Sequence, residues 1–291
     1  YRGTRFNGAR RRHRCSGDGD NRRAGAALSQ SAGNARSEAL DLLALVLRRG
    51  CRLSEALAGS DRVLSARDRA FSRLLVATVL RRLGQIDDIL DHFLDRPLPE
   101  RLANVLDVLR LGAAQLLFLG TPAHAAIDTS VTLTVGGASR RGLVNAVLRR
   151  IATEGVSLVA TQDGVRLNTP NWLWKAWVAA YGEATTRAVA EVHQAEPPLD
   201  LSIKSDVAIW AQRLGAEVLP TGSLRLATGG AVTDLEGYEE GVWWVQDAAA
   251  TLPVRLLGDV AGSRVLDLCA APGGKTAQLI TAGAKVTSLD R

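Results

Sequence analysis

The chain is poor in sulfur, histidine and lysine. It has no methionine, and its three cysteines, Cys15, Cys51 and Cys269, are widely spaced and odd in number. That pattern excludes a disulfide scaffold and a C-x-x-C metal knuckle, and it fits a reducing, cytoplasmic setting. The four histidines, His13, His92, His124 and His193, are as scattered, so no metal site is expected. No apolar run reaches the ~20 residues that a bilayer crossing requires. The expectation is a soluble intracellular protein with no membrane partner. With no Met at position 1, the chain is expected not to begin at an ordinary start codon. Only Lys175, Lys204, Lys275 and Lys285 supply lysine among 36 cationic residues. Such an arginine excess reads as the codon bias of a GC-rich genome rather than as selection for guanidinium chemistry.

What remains is ample. The 291 residues, 46% hydrophobic and 23% charged, suffice for two or three domains with real cores. The formal charge of +6 is local. Residues 1–35 hold eight Arg and two Asp, and the rest of the chain holds equal numbers of basic and acidic side chains. This Gly-, Arg- and Ser-rich opening has no apolar periodicity and too little apolar surface to offset its ordering entropy. It reads as a basic disordered tail, either an RNA-gripping arm or translated upstream sequence.

From Ser37 the pattern is one amphipathic helix after another. SEALDLLALVLRRG offers Ser37 as N-cap, a stripe of Leu40, Leu43 and Leu47, and Gly50 as its stop. SARDRAFSRLLVATVLRRLG opens with Ser65 and Asp68 at capping-box spacing and is expected to bury Phe71, Leu74, Leu75 and Val79. QIDDILDHFL, RLANVLDVLRLGAAQLLFLG, PAHAAIDTSVTLTV and SRRGLVNAVLRRIA complete a compact all-α domain at 36–152. Arg69 and Arg73 lie off the apolar stripe of one helix, and Arg140 and Arg141 open another. Such side chains can hold a phosphate backbone or form an ordinary solvated face, and both readings stay open here. The segments SARDRAFSRLLVATVLRRLGQIDDIL, LRLGAAQLLFLGTPAHAAIDTSV and RGLVNAVLRR resemble the NusB-type helical domain, which implies an RNA-binding module.

The middle of the chain is mixed. NTPNWLWKAWVAAYGEATTRAVAEVHQ reads as two helices broken near Gly182, with Trp172, Trp174 and Trp177 placed either for packing or for base stacking. LDLSIK, GSLRLAT and GVWWVQD then read as strands and DVAIWAQRLG as a helix, a small α/β domain that closes the region 153–247.

The last residues, 248–291, carry the sharpest chemistry. SRVLDL is a strand, CAAPGGKT a tight turn, TAQLITAG a helix and AKVTSLD a second strand running to Asp290. This is the opening βαβ of a Rossmann-like sheet, in which glycines let a ligand approach the backbone and a terminal acid faces ribose hydroxyls. Asp267, ending the first strand, is placed to orient the loop. A phosphate-binding P-loop would require glycine where Cys269 stands, and the G-x-G-x-x-G of dinucleotide sites is absent. A site for S-adenosyl-L-methionine suits the turn best.

D-L-C-A-A-P-G-G-K-T is similar to the cofactor motif of the NOL1/NOP2/Sun RNA 5-methylcytosine methyltransferases. LEGYEEGVWWVQDAAA, with Gly241, Gln246 and Asp247, resembles the segment leading into their catalytic domain. A NusB-type domain in front points to the bacterial branch that methylates a cytosine of 16S ribosomal RNA of the small subunit. The resemblance implies a multidomain chain: an all-α NusB-like domain, a small α/β domain, then the start of a Rossmann-like methyltransferase domain. It implies that Cys269, Ala270, Ala271, Pro272, Gly273, Gly274 and Lys275 line the S-adenosyl-L-methionine pocket and that Asp290 binds its ribose. With the chain neutral after residue 35, RNA contact would come from local arginine clusters, for which Arg69, Arg73, Arg140 and Arg141 are the candidates. The family's nucleophilic cysteines lie in later motifs, so no catalytic residue is expected in this chain. It is expected to be a monomeric, inactive fragment whose last strands keep exposed edges. The alternatives are a non-enzymatic NusB-type RNA-binding factor and a P-loop nucleotide hydrolase.

Overall fold

A computed structural model describes residues 34–60, 64–227 and 232–290. Most of the basic opening segment, expected to be a disordered tail, lies outside the described residues. The chain forms two compact units, one ending at Ala195 and the other spanning Glu196–Arg291.

The first unit is helical. Its elements are α1 (Ala35–Arg49), α2 (Leu53–Ala58), α3 (Ala66–Arg81), α4 (Leu83–Phe93), α5 (Ala103–Leu117), α6 (Ala123–Leu133), α7 (Ala138–Thr161), α8 (Gly164–Leu167), α9 (Asn171–Tyr181) and α10 (Glu183–Val192). α1 starts two residues before the expected cap. The Asn34 side chain accepts from the Arg36 amide, and Ser37 falls inside the first turn. Gly50, at φ +68°, ends the helix in the left-handed region, where Cβ-bearing residues are strained. The capping box of α3 forms as read: Ser65 Oγ accepts from the Asp68 amide at 3.0 Å and donates to its carboxylate at 2.7 Å.

The core joins Leu42, Leu43, Leu75, Val79, Ile86, Leu90, Leu109, Leu148 and Ile151. Leu74, expected inside, is 42% exposed, because the inward face of α3 runs through Ser72, Leu75, Val76 and Val79. Buried Asp107 is paired with Arg48 and Arg110, and Arg110 is bidentate on Asp87 at 2.7 and 2.8 Å.

Helix α7 runs through the expected 152/153 boundary, and packing continues beyond it. Gly84, which the sequence pattern places at the end of a helix, lies inside α4 against the Leu167 carbonyl; a Cβ there would overlap that backbone. Gln85 beside it donates from its amide to Asn168 Oδ1 at 3.0 Å and accepts from Asn168 Nδ2 at 2.8 Å. Gln162 donates to the Gln85 carbonyl and to Asp88, while Arg82 donates to Gln85 and Gln194. These bonds weld residues 162–194 to the helices in front of them. Trp174 is buried, with the Arg166 and Arg187 guanidinium groups 5.1 and 5.6 Å from its ring centre, whereas Trp172 is 72% exposed.

The second unit opens with a four-stranded antiparallel sheet in the order β2-β3-β1-β4. Its strands are β1 (Leu199–Ile203), β2 (Glu217–Val218), β3 (Leu224–Leu226) and β4 (Trp243–Val245), with α11 (Val207–Leu214) after β1. Leu201, Leu224, Leu226 and Trp243 make its core. Then come α12 (Ala248–Arg255), β5 (Arg264–Asp267), α13 (Gly274–Thr281) and β6 (Lys285–Ser288). β5 and β6 pair in parallel, Arg264 with Lys285 through Asp267 with Ser288. Among the described residues this sheet has two strands, and Leu266, Leu268, Ile280 and Leu289 are all more than half exposed. No described helix is long and apolar enough to cross a membrane.

Candidate functional site

The turn between β5 and α13 sits at the carboxyl ends of two parallel strands, the position where open α/β sheets bind ligands. Asp267, the last residue of β5, organises it from below. Its carboxylate accepts from Thr276 Oγ at 2.7 Å, on the first turn of α13, and from the Cys269 amide at 3.4 Å. Thr276 Oγ is also 3.3 Å from Ser288 Oγ at the end of β6. Asp290 holds the turn from the other side, its carboxylate accepting from the Ala271 amide at 2.6 Å. The Ala270 amide donates to the Leu289 carbonyl at 3.1 Å, and the Leu289 amide to the Asp267 carbonyl at 2.8 Å. Thus the structure brings residues 269–275 and Asp290, far apart in sequence, into one constellation.

The two glycines of the turn have different reasons to be there. Gly273, at φ +105°, occupies a conformation that Cβ-bearing residues rarely adopt, although a Cβ there would meet nothing within 4 Å. Gly274 begins α13, and an added Cβ would rest at an ordinary 3.5 Å from Gln246. The fold itself therefore tolerates a larger residue at 274. No side chain caps α13, so the amides of its first turn lack a side-chain acceptor. Cys269 and Lys275 are exposed.

Sequence reasoning placed Gln246 only by likeness; its place in the fold is a hub. This buried amide accepts from Ser202 Oγ at 2.9 Å and Trp244 Nε1 at 2.8 Å through Oε1, and donates through Nε2 to Gln278 Oε1 at 3.1 Å. Gln278, on α13, in turn donates to the Thr251 carbonyl on α12 at 3.1 Å. The antiparallel sheet is thereby tied to the helix that carries the turn. An isolated Gln before an N-cap Asp is the only local signal for this role, and Thr276 has none beyond its position on the first helical turn.

The four candidate RNA-facing arginines fall at two places. Arg69 and Arg73 line one small recess on α3, with Arg69 donating to the Leu64 carbonyl at 2.7 Å. Arg140 and Arg141 sit in the first turn of α7 and donate back to the carbonyls of Val135 and Thr134 at 3.4 and 3.3 Å. Among the described residues no group of His, Cys, Asp and Glu could hold a metal ion.

Residues 33–153 match the NusB family. Over 274 residues, 88% of the chain, it is 32% identical to "Ribosomal RNA small subunit methyltransferase B" of Vibrio cholerae, of which the match covers 63%. It is 36% identical over 257 residues to the protein of the same name from Xanthomonas campestris, covering 84% of this chain and 58% of that one. The chain thus spans about three fifths of the length of these curated relatives. The crystal structure of PH0851 shares the fold over 90% of this chain and 64% of its own, with a TM-score of 0.55 and 17% identity.

Proposed function

Because the chain is 32–36% identical to proteins named ribosomal RNA small subunit methyltransferase B and its residues 33–153 match the NusB family, we propose that it is the RNA-binding and cofactor-loop portion of an S-adenosyl-L-methionine-dependent RNA cytosine-5 methyltransferase. Its substrate in this reading is 16S ribosomal RNA of the small subunit. The observation that carries the cofactor assignment is the double bracing of the 268–273 turn. Asp267 and Thr276 hold it from the strand side and Asp290 from the next strand, leaving uncapped amides and Gly274 facing outward.

The residues fit the group. A nucleoside that bears a methionine sulfonium in place of a pyrophosphate needs backbone donors, a close approach at glycine and a carboxylate for its hydroxyls, and it needs no phosphate nest. Ala270, Ala271 and Pro272 form the wall, Gly273 and Gly274 admit the backbone approach, and Asp290 takes the ribose. Bound there, the cofactor supplies the methyl group; the residues of this chain bind and orient it. Cys269 is given no nucleophilic role, since it stands within the cofactor turn itself and not in the later motifs that carry the family's nucleophile. Arg69, Arg73, Arg140 and Arg141 hold the RNA in this reading by charge-assisted phosphate contacts.

Calorimetric titration tests it. S-adenosyl-L-methionine is expected to bind the 291-residue chain only weakly, with an affinity that Asp290→Ala weakens at least tenfold, while magnesium-ATP gives no heat. Heat from magnesium-ATP that Lys275→Ala abolishes would instead establish a nucleotide hydrolase. Binding of RNA with no heat from S-adenosyl-L-methionine would leave the non-enzymatic RNA-binding factor.

A further inference from the structure

Helix α13 carries the end of the cofactor turn, yet apolar packing holds it lightly. Leu279 is its one buried side chain, in a cluster whose other buried members are Val254 and Val260. So few buried contacts leave polar partners a large share in setting where the helix stands. Toward the antiparallel sheet that partner is Gln278, one helical turn beyond Gly274. Gln278 belongs to a directional chain of amides. Trp244 Nε1 can only donate, so the Gln246 atom that it meets at 2.8 Å is the oxygen, which accepts from Ser202 Oγ as well. The Gln246 nitrogen is thereby turned toward Gln278 Oε1 at 3.1 Å, with the Ala250 carbonyl at 3.4 Å. At the far end the Thr251 carbonyl can only accept, and it takes the Gln278 nitrogen at 3.1 Å. Each amide is thus oriented by a partner of single capability, and neither can flip without setting like groups against each other.

The sheet end of this chain is fixed. The Gln246 backbone amide donates to the Asp200 carbonyl at 3.0 Å, and Asp247 next to it caps α12. Gln246 also stands beside the turn itself, since a Cβ on Gly274 would lie 3.5 Å from its Cγ and Cδ. We propose that Gln246 and Gln278 are positioning residues for the cofactor turn. Together they fix how far the start of α13 stands from the antiparallel sheet. A ligand that draws on Gly274 is felt through the same chain at the Trp244 indole. These roles rest on the cofactor reading above and add to it the part of the fold that sets the position of the turn.

The test is two-dimensional NMR of the indole N–H groups of the whole chain, titrated with S-adenosyl-L-methionine to millimolar concentration. The chain has six such groups, and the resonance that Trp244→Phe removes belongs to Trp244. It is expected to shift as the ligand binds, while those of Trp172, Trp174 and Trp177 stay in place. Gln278→Met keeps the length and helix propensity of the side chain but breaks the chain of amides. It is expected to weaken binding roughly fivefold and to remove most of the Trp244 shift. Ser202→Ala loosens the Gln246 oxygen without touching α13 and should weaken binding in the same direction, by about twofold. All are read where circular dichroism shows variant and wild type fully folded, so a loss of stability alone moves neither affinity nor shift. If the ligand binds wild type and the Trp244 resonance stays put, the positioning role falls and the cofactor reading stands. The same follows if Gln278→Met binds and shifts as wild type does. If S-adenosyl-L-methionine does not bind wild type, the cofactor reading falls and the positioning role with it.

Discussion

Gly84→Ala probes how residues 162–194 are attached to the helices before them. A Cβ at this position overlaps the Leu167 carbonyl and comes within 3.0 Å of the Asn168 amide, against an ordinary carbon contact of about 3.5–4.0 Å. Both sides of the contact are backbone, so neither can swing away, and α4 and α8 must part by about 1 Å. That separation breaks the paired hydrogen bonds between Gln85 and Asn168 at 3.0 and 2.8 Å, each contributing about 1 kcal/mol. Strain in the surrounding helices adds about 1–3 kcal/mol. Alanine's better helix propensity returns about 1 kcal/mol, and the net loss is about 2–4 kcal/mol. Urea unfolding followed by the helical circular dichroism of the whole chain measures it. Gly142→Ala is the control: it lies inside α7 with nothing within 4 Å of a built Cβ, and it should raise stability by up to about 1 kcal/mol. A Gly84→Ala midpoint equal to or above wild type refutes the close-approach argument.

Other outcomes follow from the second unit. The Arg225 guanidinium, with help from the Ala248 amide, holds the buried Asp200 carboxyl below the usual carboxylate range. Its stabilising effect is therefore present above the unfolded value near 3.9 and is lost as pH falls through the lower folded value. Asp200→Asn should cost about 2–4 kcal/mol at neutral pH and flatten the acid limb of a stability–pH curve; an unchanged acid limb would contradict the pairing. Gly273→Ala should cost about 1–2 kcal/mol through backbone strain alone, with Gly273→Asn costing less, and equal losses in thermal melts would point to a packing cause. Asp290→Ala should speed amide exchange at Ala271 while leaving β5 protected, whereas uniform loss of protection would mean that Asp290 supports the whole sheet. Gln246→Glu sets a carboxylate against the acceptors of Ala250 and Gln278 and should destabilise this unit by about 2 kcal/mol; wild-type stability would deny Gln246 its place as hub.

Local chemistry was readable and long-range polar chemistry was not. The Ser65–Asp68 capping box, the Gly50 stop and the break at Gly182 are written in adjacent residues, and each forms as read. Ser37 was the natural cap candidate by type, yet Asn34 lies before it with an equally good acceptor. The Gln85–Asn168–Gln162 weld joins residues some 80 positions apart, and polar side chains carry no periodic signal of their partners. Strand β2 has two residues, too few for any alternation to show. In the turn after β5, glycine, proline and the strand-ending acid were legible as a tight connection from strand to helix. The contact of Asp290 with the Ala271 amide was not, because sequence shows an acid's type but not which backbone amide reaches it.

The distribution of aromatic residues has an optical consequence. All six tryptophans lie at Trp172, Trp174, Trp177, Trp210, Trp243 and Trp244, so helices α1 to α7 contain none. Intrinsic fluorescence therefore reports on α9 and on the antiparallel sheet and is blind to the leucine, valine and isoleucine core of the helical unit. Trp174 between two guanidinium groups and Trp243, donating to the Glu236 carbonyl at 2.8 Å, will change their emission on unfolding, whereas the ellipticity comes chiefly from helices that do not emit. The two signals weight different parts of one chain, and because Trp172, Trp174 and Trp177 belong to the first unit, a gap between the transitions separates α9 and the second unit from the core of α1 to α7.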